Sequence, residues 1–439
     1  MNKRVAIIGA GAAGLCVAKC LLDEGIIPVI FEVSNKIGGL WKYDNDSTDG
    51  GGPAYESLQT NTSILKTAFK DYPFPDDYPN FPSRQQVLDY LIGFAQRFNL
   101  TEHVKFNHKV IKVDKVSDKF IVNYESKTES FTKEFDNVIV ASGRHDVVNM
   151  PKINGLNTFK GDVLHSKDYT KTDKYLNKKV LIIGAGPSSV DIATDITSVS
   201  KEVIISSRTP VWYVPKYIKG KPYDQHLTKF KARLPKIVRE YAYKRMLLQE
   251  YKNLEIKQND GALPFGVPAL DLEKARFVPT EKLFKCIDDI SFTTNISSIR
   301  DNDVILDNKS EIKDVDAIIF ATGYKVCYPF LAGGSFSSME HDTSLYKHIF
   351  YPNDSSLSFV GANTIVGPIL AALYYQALYI SKVYAGKVKL PNNAEMLKKV
   401  EGHARKCRKK GIDKNKVQTL YYIDELERGM KKGFYILNL

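Results

Sequence analysis

The chain opens on four consecutive apolar residues, Val5-Ala6-Ile7-Ile8. Gly9-Ala10-Gly11-Ala12-Ala13-Gly14 follows, then a stretch in which Leu15, Ala18, Leu21 and Leu22 recur at helical spacing. A short unbroken apolar run predicts a strand buried on both faces, the glycines a tight turn, and the spaced leucines a helix packed on that strand. A second strand, Pro28 to Phe31, ends at Glu32. The pattern returns at Lys179 to Ile183, with the turn Gly184-Ala185-Gly186-Pro187-Ser188-Ser189, a helix from Val190 to Thr197 and a strand from Glu202 to Ser206. Two more apolar runs close the repeats: Asn137 to Val140 leads into Ala141-Ser142-Gly143, and Ala317 to Phe320 into Ala321-Thr322-Gly323-Tyr324. Between the repeats, a Pro-, Asp- and aromatic-rich stretch from Tyr55 gives way to a helix over Arg84 to Phe98, and strands are expected at His108 to Val113 and Phe120 to Tyr124. From Tyr223 to Tyr251, basic residues interleave with Phe230, Leu234, Tyr241, Tyr243 and Leu247, the pattern of an amphipathic surface helix rather than a nucleic-acid groove.

Strand, glycine turn, helix and strand, met twice, predict an α/β protein with two dinucleotide-binding (Rossmann-like) domains. The repeats lie too far apart for a solenoid, so the second domain is read as inserted into the first, with boundaries at 1–168, 169–312 and 313–439. In the first turn, Gly9 permits the tight bend, Gly11 lets backbone approach a pyrophosphate, and Gly14 lets the helix pack on its strand. Glu32 stands at the ~20-residue spacing where such a unit places an acid on a ribose hydroxyl. The second repeat differs: Ser189 replaces the third glycine, and its strand ends in Ser206, Ser207 and Arg208 with no acid. An arginine there suits a ribose carrying a 2′-phosphate, so this unit favours NADP over NAD.

Charge and composition narrow the picture further. Sixty-two Lys and Arg against fifty Asp and Glu leave +12, an excess that attracts nucleic acid, anionic lipid or a polyphosphate cofactor. The two glycine turns select the cofactor. Five cysteines, none in a C-x-x-C, point to a reducing compartment and no structural metal, with Cys16 and Cys20 as core residues of the first helix. No signal-peptide pattern precedes the first strand, so the sequons at Asn45, Asn61, Asn99, Asn295, Asn308 and Asn353 are discounted. The longest apolar stretch, Val366 to Ile380, is broken by Gly367, Pro368 and Gln376, and falls short of a membrane span. A cytoplasmic protein without a membrane anchor is expected. Its lysine-rich segment from Leu397 to Lys416 reads as a solvated helical face, followed by a docking tail that ends Gly433 to Leu439.

Two dinucleotide units, the first with a ribose-binding acid and the second with an arginine, form the arrangement of flavoproteins that use FAD and NADPH. Phe159-Lys160-Gly161-Asp162-Val163-Leu164-His165-Ser166-Lys167-Asp168-Tyr169 resembles the FxGxxxHxxxY fingerprint of flavin-containing monooxygenases. Ile37 to Trp41, Tyr55 to Ser63, Asp71 to Pro75 and Phe320 to Tyr324 resemble the same family. Ser142-Gly143-Arg144-His145 departs from its more usual Thr-Gly-His-His, and the tail lacks the hydrophobic anchor of vertebrate members.

The resemblance implies cofactor contacts at Gly9, Gly11, Ala13, Gly14, Glu32, Gly39, Leu40, Trp41, Thr60, Asn61, Val110, Ser142, Gly143, Thr322, Gly323 and Gln376. For the second turn it implies Gly184, Gly186, Pro187, Ser188, Ser189, Ser207 and Arg208. It implies a small nucleophilic substrate and O2 as reactants, no nucleic acid and no metal, and leaves room for a homodimer. By the same resemblance, NADPH reduces FAD, O2 adds to give a C4a-hydroperoxyflavin, and a soft nitrogen or sulfur nucleophile takes the distal oxygen. Asn61 is the residue implied to hydrogen-bond that oxygen, because an amide donates and accepts without titrating. His165 is expected to be a structural post rather than a base. One alternative is a Baeyer-Villiger ketone monooxygenase, whose related fingerprint ends in Trp where this chain has Tyr169. Another is a non-catalytic nucleotide- or RNA-binding protein, for which two complete turns together with Glu32, Arg208 and Asn61 would have no use.

Overall fold

The structure, a computed structural model, describes residues 3–43, 55–209, 211–228, 231, 234–254 and 276–436. The sequon at Asn45, Phe230 of the basic segment and the end of the tail at 437–439 lie outside them. Contacts divide the chain into two units, one of Met1–Ala54, Thr62–Val147 and Lys325–Leu439, the other of Tyr55–Asn61 and Val148–Tyr324.

In the first unit, Val5–Ile8 is the central strand of a five-stranded sheet. Pro28–Phe31 and then Val104–Lys105 lie on one side, Asn137–Val140 and then Leu357–Phe359 on the other, all parallel. Alternation along the central strand divides the core. Val5 and Ile7 join the cluster under the helix Ala12–Asp23, whereas Ala6 and Ile8 face Phe31, Val138 and Val140. Cys16 and Cys20 are buried in the first cluster as free thiols, and burial pushes the Cys16 thiol well above its ordinary value. A three-stranded antiparallel sheet, Lys109–Val116, Lys119–Glu125 and Ser130–Phe135, covers the second cluster through Val113, Phe120, Val122 and Phe135. On the first face the helix Ile369–Tyr384 packs along Ala12–Asp23, and Thr419–Ile436 packs on Ile369–Tyr384.

One part of that interface was invisible in the sequence. Lys19 is buried within the first helix and ion-paired at 2.8 Å to Asp23 and 2.9 Å to Asp71, and the Tyr374 hydroxyl donates to the Asp71 carboxylate. Phe74 stacks on Tyr90 with ring centroids 3.8 Å apart. The Asp71 to Pro75 stretch, legible only as a resemblance, is therefore a packing clasp.

The second unit repeats the design. Its parallel sheet runs Ile290–Thr293, Glu202–Ser206, Lys179–Ile183, Ala317–Phe320 and Asp162–His165, with Pro187–Ile196 as the turn helix. An antiparallel flap of Ile296–Arg300, Asp303–Leu306 and Glu311–Ile312 covers one face through Ile296, Ile299 and Val304.

The division differs from the boundaries expected at 168 and 312. Ala317–Phe320 pairs with Lys179–Ile183 on one side and Asp162–His165 on the other, so both of these stretches belong to the second sheet rather than to the first unit. The basic segment also changes. Tyr223–His226 is a short 3-10 turn, and a helix runs from Lys236, after Pro235, to Asn253. Proline suits a helix start and cannot continue a helix from behind. Among the described residues, no helix is long and apolar enough to cross a membrane.

Candidate active site

Each sheet reverses strand order around its central strand, so a crevice opens beyond the carboxyl ends of the strands, beside the glycine turn. In the first unit Gly9 has φ +105, and a Cβ there would lie 2.7 Å from the Ala141 carbonyl oxygen. The turn thus touches the end of Asn137–Val140, where exposed Ser142 and Gly143 (φ +84) follow. A Cβ on Gly14 would sit 1.8 Å from the Gly9 oxygen, so this glycine is required by packing. Gly11 differs. Its Cβ would meet only Gly39, at 3.4 Å.

The helix Ala12–Asp23 starts at Gly11 with no side-chain cap and no acid in its first turn. Its leading amides, Ala13 and Gly14 included, therefore converge on a site suited to an anion. The 3-10 turn Gly39–Trp41, which carries Leu40, is held against this site by Gly38 N–H donating to Ala10 O at 3.1 Å. Glu32 is buried. Its Oε2 accepts from the Ala10 amide at 2.8 Å, and its Oε1 accepts from the Ser34 hydroxyl at 2.7 Å and amide at 3.1 Å, with Lys42 Nζ 3.7 Å away. Each carboxylate oxygen has two lone pairs, so acceptor capacity remains for a ribose hydroxyl.

Val110 is buried beside a register break between Val110 and Lys112. Gln376, expected among the cofactor contacts, has its side chain engaged by the protein itself. It is fully buried, its Oε1 accepts from Gly361 N–H at 2.9 Å, and both amide hydrogens are committed, to Asn363 Oδ1 at 3.0 Å and Tyr422 Oη at 2.8 Å. It props the loop at Gly361 from behind.

The second unit offers the same cradle. Gly184 has φ +118, and a Cβ there would strike the Ala321 oxygen at 2.4 Å; Gly186 precedes the helix without a side-chain cap, and Pro187 occupies the first turn. Ser189 is fully buried, its hydroxyl without a partner among the described residues, in the packing position of the missing glycine. Ser207 donates to Thr209 O at 2.8 Å, which leaves Arg208 exposed at the strand end without a partner among the described residues. Sequence reasoning missed Arg276. A Cβ at Gly186 would lie 3.7 Å from its guanidinium, so a cation stands at a positive helix terminus. That placement is unfavourable unless an anion lies between the two. No spacing rule links residue 276 to the turn, and only the fold brings them together.

The fingerprint histidine is a post. His165 is buried, with Nε2 3.0 Å from Gly323 O and Nδ1 accepting from Lys167 N–H at 3.1 Å, and burial lowers its pKa. Both ring nitrogens are engaged in the neutral form. Gly323 O also accepts from the Asn149 amide at 2.9 Å, and the Thr322 hydroxyl donates to Asn149 O, so the loop after Ala317–Phe320 is pinned from two sides.

Tyr55–Asn61 belongs to this second unit, and alternate residues tether it there. The buried Tyr55 hydroxyl donates to Asp191 and also bonds Ser188; Ser57 donates to Asp195; Gln59 Oε1 accepts from Lys216 Nζ at 3.3 Å. Burial, followed by the Asp191 charge, raises the Tyr55 pKa strongly. Tyr169, the last residue of the fingerprint, is buried against Tyr55 and bonds Asp195. Finally the Tyr223 hydroxyl donates to Asn61 O at 2.8 Å. Asn61 is thus fixed by its backbone, while its side-chain amide has no partner among the described residues and the buried Thr60 hydroxyl beside it is unsatisfied.

Comparison with known proteins agrees with this architecture. The flavin-binding monooxygenase-like family model matches residues 2–436. Flavin-containing monooxygenase 3 of Homo sapiens is 33% identical over 444 residues, covering 97% of this chain and 82% of the relative. Flavin-containing monooxygenase 5 of Oryctolagus cuniculus is 32% identical with the same coverage. Among solved structures, S-allyl-L-cysteine S-oxygenase from Allium sativum superposes with TM-score 0.74 at 26% identity, over 98% of this chain and 89% of that one. Cyclohexanone monooxygenase from Rhodococcus sp. Phi1, bound to NADP+, shares the fold at 15% identity, with TM-score 0.70 over 99% and 98% of the two chains. The chain belongs to the flavin-binding monooxygenase-like family and is an oxidoreductase with FAD and NADPH as its cofactors.

Proposed function

We propose that this enzyme transfers one oxygen atom of O2 to a soft nitrogen or sulfur nucleophile, with NADPH consumed and water released. The observation that carries the reading is Asn61: its backbone is fixed by Tyr223, whereas among the described residues its amide has no partner and lies beside an unsatisfied Thr60 hydroxyl. Relatedness to flavin-containing monooxygenase 3 and to an S-oxygenase points to the same substrate class.

In this reading the amides of Gly11 to Gly14 and the Glu32 carboxylate hold FAD by pyrophosphate and ribose. Those at Gly186 to Ser189, with Arg276, hold the pyrophosphate of NADPH, and Arg208 holds its 2′-phosphate. The chemistry that FAD supplies when bound is two-electron activation of O2. The chain's task is positional: Asn61 presents a neutral donor and acceptor to the oxygen being transferred, and Tyr223 keeps that amide in place. A non-titrating partner cannot protonate the oxygen away as peroxide.

Ketone oxygenation is the rival, since cyclohexanone monooxygenase shares the fold. Tyr169 speaks for the heteroatom reading, because it stands where the rival fingerprint has Trp and is built into the Tyr55–Asp195 tether. The test is NADPH oxidation with product analysis for a thioether, a tertiary amine and a cyclic ketone. Sulfoxide or N-oxide formed in step with NADPH supports the proposal; lactone from the ketone, with thioether and amine untouched, replaces it.

A further inference from the structure

In the first unit, on the loop that follows Tyr324, Cys327, Glu340 and His341 bring a thiol, a carboxylate and an imidazole to within 4.8 Å of one another. None of the three has a part in the cofactor cradles. We propose that they form a binding site for a borderline divalent cation of the Zn2+ class, with an open coordination position left for water.

Three features support the assignment. The donor set is mixed: thiolate and imidazole select zinc-like ions over Mg2+ or Ca2+, and three protein ligands with one open position is the pattern of accessible zinc centres. The backbone is preorganised. Tyr328 N–H donates to Glu340 O at 2.8 Å, so the two segments carrying the ligands are joined next to the donor atoms. Their neighbours are anchored, with Tyr328 2% and Met339 3% exposed in the core of this unit, so the donor backbone is held by buried side chains on both segments. The side chains can still adjust: His341 is 69% exposed, its Nε2 3.4 Å from a Glu340 oxygen, and Glu340 is 28% exposed. Modest rotation at the surface brings the donors to coordination distance while the loop stays in place.

On binding, the Cys327 thiol releases its proton to solvent as the sulfur–zinc bond forms. The sequence carried no sign of this site, because residue 327 is remote from 340–341 and no C-x-x-C frames them.

The test uses flavin-loaded enzyme, stripped with chelator and kept reduced by a phosphine, in equilibrium dialysis against Zn2+. The wild type is expected to bind one equivalent. Cys327→Ser and, separately, the exposed His341→Ala should each weaken binding by more than the 10–100-fold typical of losing an outer-shell partner, with flavin content unchanged. Co2+ in place of Zn2+ should give the intense red-region bands of a tetrahedral thiolate site, clear of flavin absorption, and Cys327→Ser should abolish them. Equal Zn2+ affinity in wild type, Cys327→Ser and His341→Ala would overturn the proposal, as would the absence of any stoichiometric binding.

Discussion

Gly11 and Gly14 belong to one turn, yet a methyl group would meet different things at each. At Gly14 it strikes the Gly9 oxygen at 1.8 Å, whereas at Gly11 it finds only Gly39 at ordinary contact distance. Gly14→Ala should therefore misfold the unit. Gly11→Ala should give folded protein, with unchanged circular dichroism, that purifies colourless because the methyl occupies the pyrophosphate's place. A yellow Gly11→Ala protein would remove FAD from this turn.

Arg208 and Arg276 make a second contrast. Arg208→Ala should raise KM for NADPH roughly 10–100-fold, the ~1.5–3 kcal/mol of a charge-assisted phosphate contact, and leave KM for NADH unchanged. Arg276→Ala should raise both, since the pyrophosphate is common to the two cofactors. The sequence exposed Arg208 because it stands at a strand end. It hid Arg276, whose approach to Gly186 depends on the fold of the whole unit.

At the scale of elements, the strands, glycine turns and turn helices were legible because buried-strand runs and glycine chemistry are local. What depends on pairing over long range was not. The boundaries at 168 and 312 left Asp162–His165 and Ala317–Phe320 outside the second domain, whereas Ala317–Phe320 pairs in parallel with Lys179–Ile183 and Asp162–His165 with Ala317–Phe320, which places both in the second sheet. Gln376 looked like a contact residue and is enclosed by Gly361, Asn363 and Tyr422.

The segment Tyr55–Asn61 carries the sharpest prediction at this scale. Tyr223→Phe removes one hydroxyl and leaves ring packing intact, so reduction by NADPH in the absence of O2 should proceed at the normal rate. In air, Asn61 is no longer held, and the ratio of oxygenated product to NADPH should fall with H2O2 rising to balance. Asn61→Ala should show the same pattern more strongly, by the ~10²–10³ typical of losing a preorganised hydrogen bond in the chemical step. Unchanged coupling in both variants would make the tether purely structural.

For the molecule as a whole, His348 should contribute to acid sensitivity, alongside His145, whose pKa desolvation likewise lowers to about 4. Burial, with His403 alongside, pulls the His348 pKa from 6.5 down to about 4. Between those values the unfolded chain takes up a proton that the native state refuses, so the His348 contribution to stability is intact above pH 6.5, is lost as the pH falls through the window and changes no further below about 4. Unfolding free energies from urea titrations at the two ends of the window should differ by less in His348→Gln than in wild type, by on the order of 1–3 kcal/mol. Equal pH dependence in the two proteins would show that His348 does not titrate across unfolding.

The central claim is the fate of the oxygen atom, and isotope labelling addresses it most directly. The enzyme, supplied with NADPH and a thioether under 18O2 in unlabelled water, should yield sulfoxide bearing one 18O, in a one-to-one ratio with NADPH oxidised. Unlabelled sulfoxide, or NADPH consumed with all of the O2 recovered as H2O2, would contradict the account.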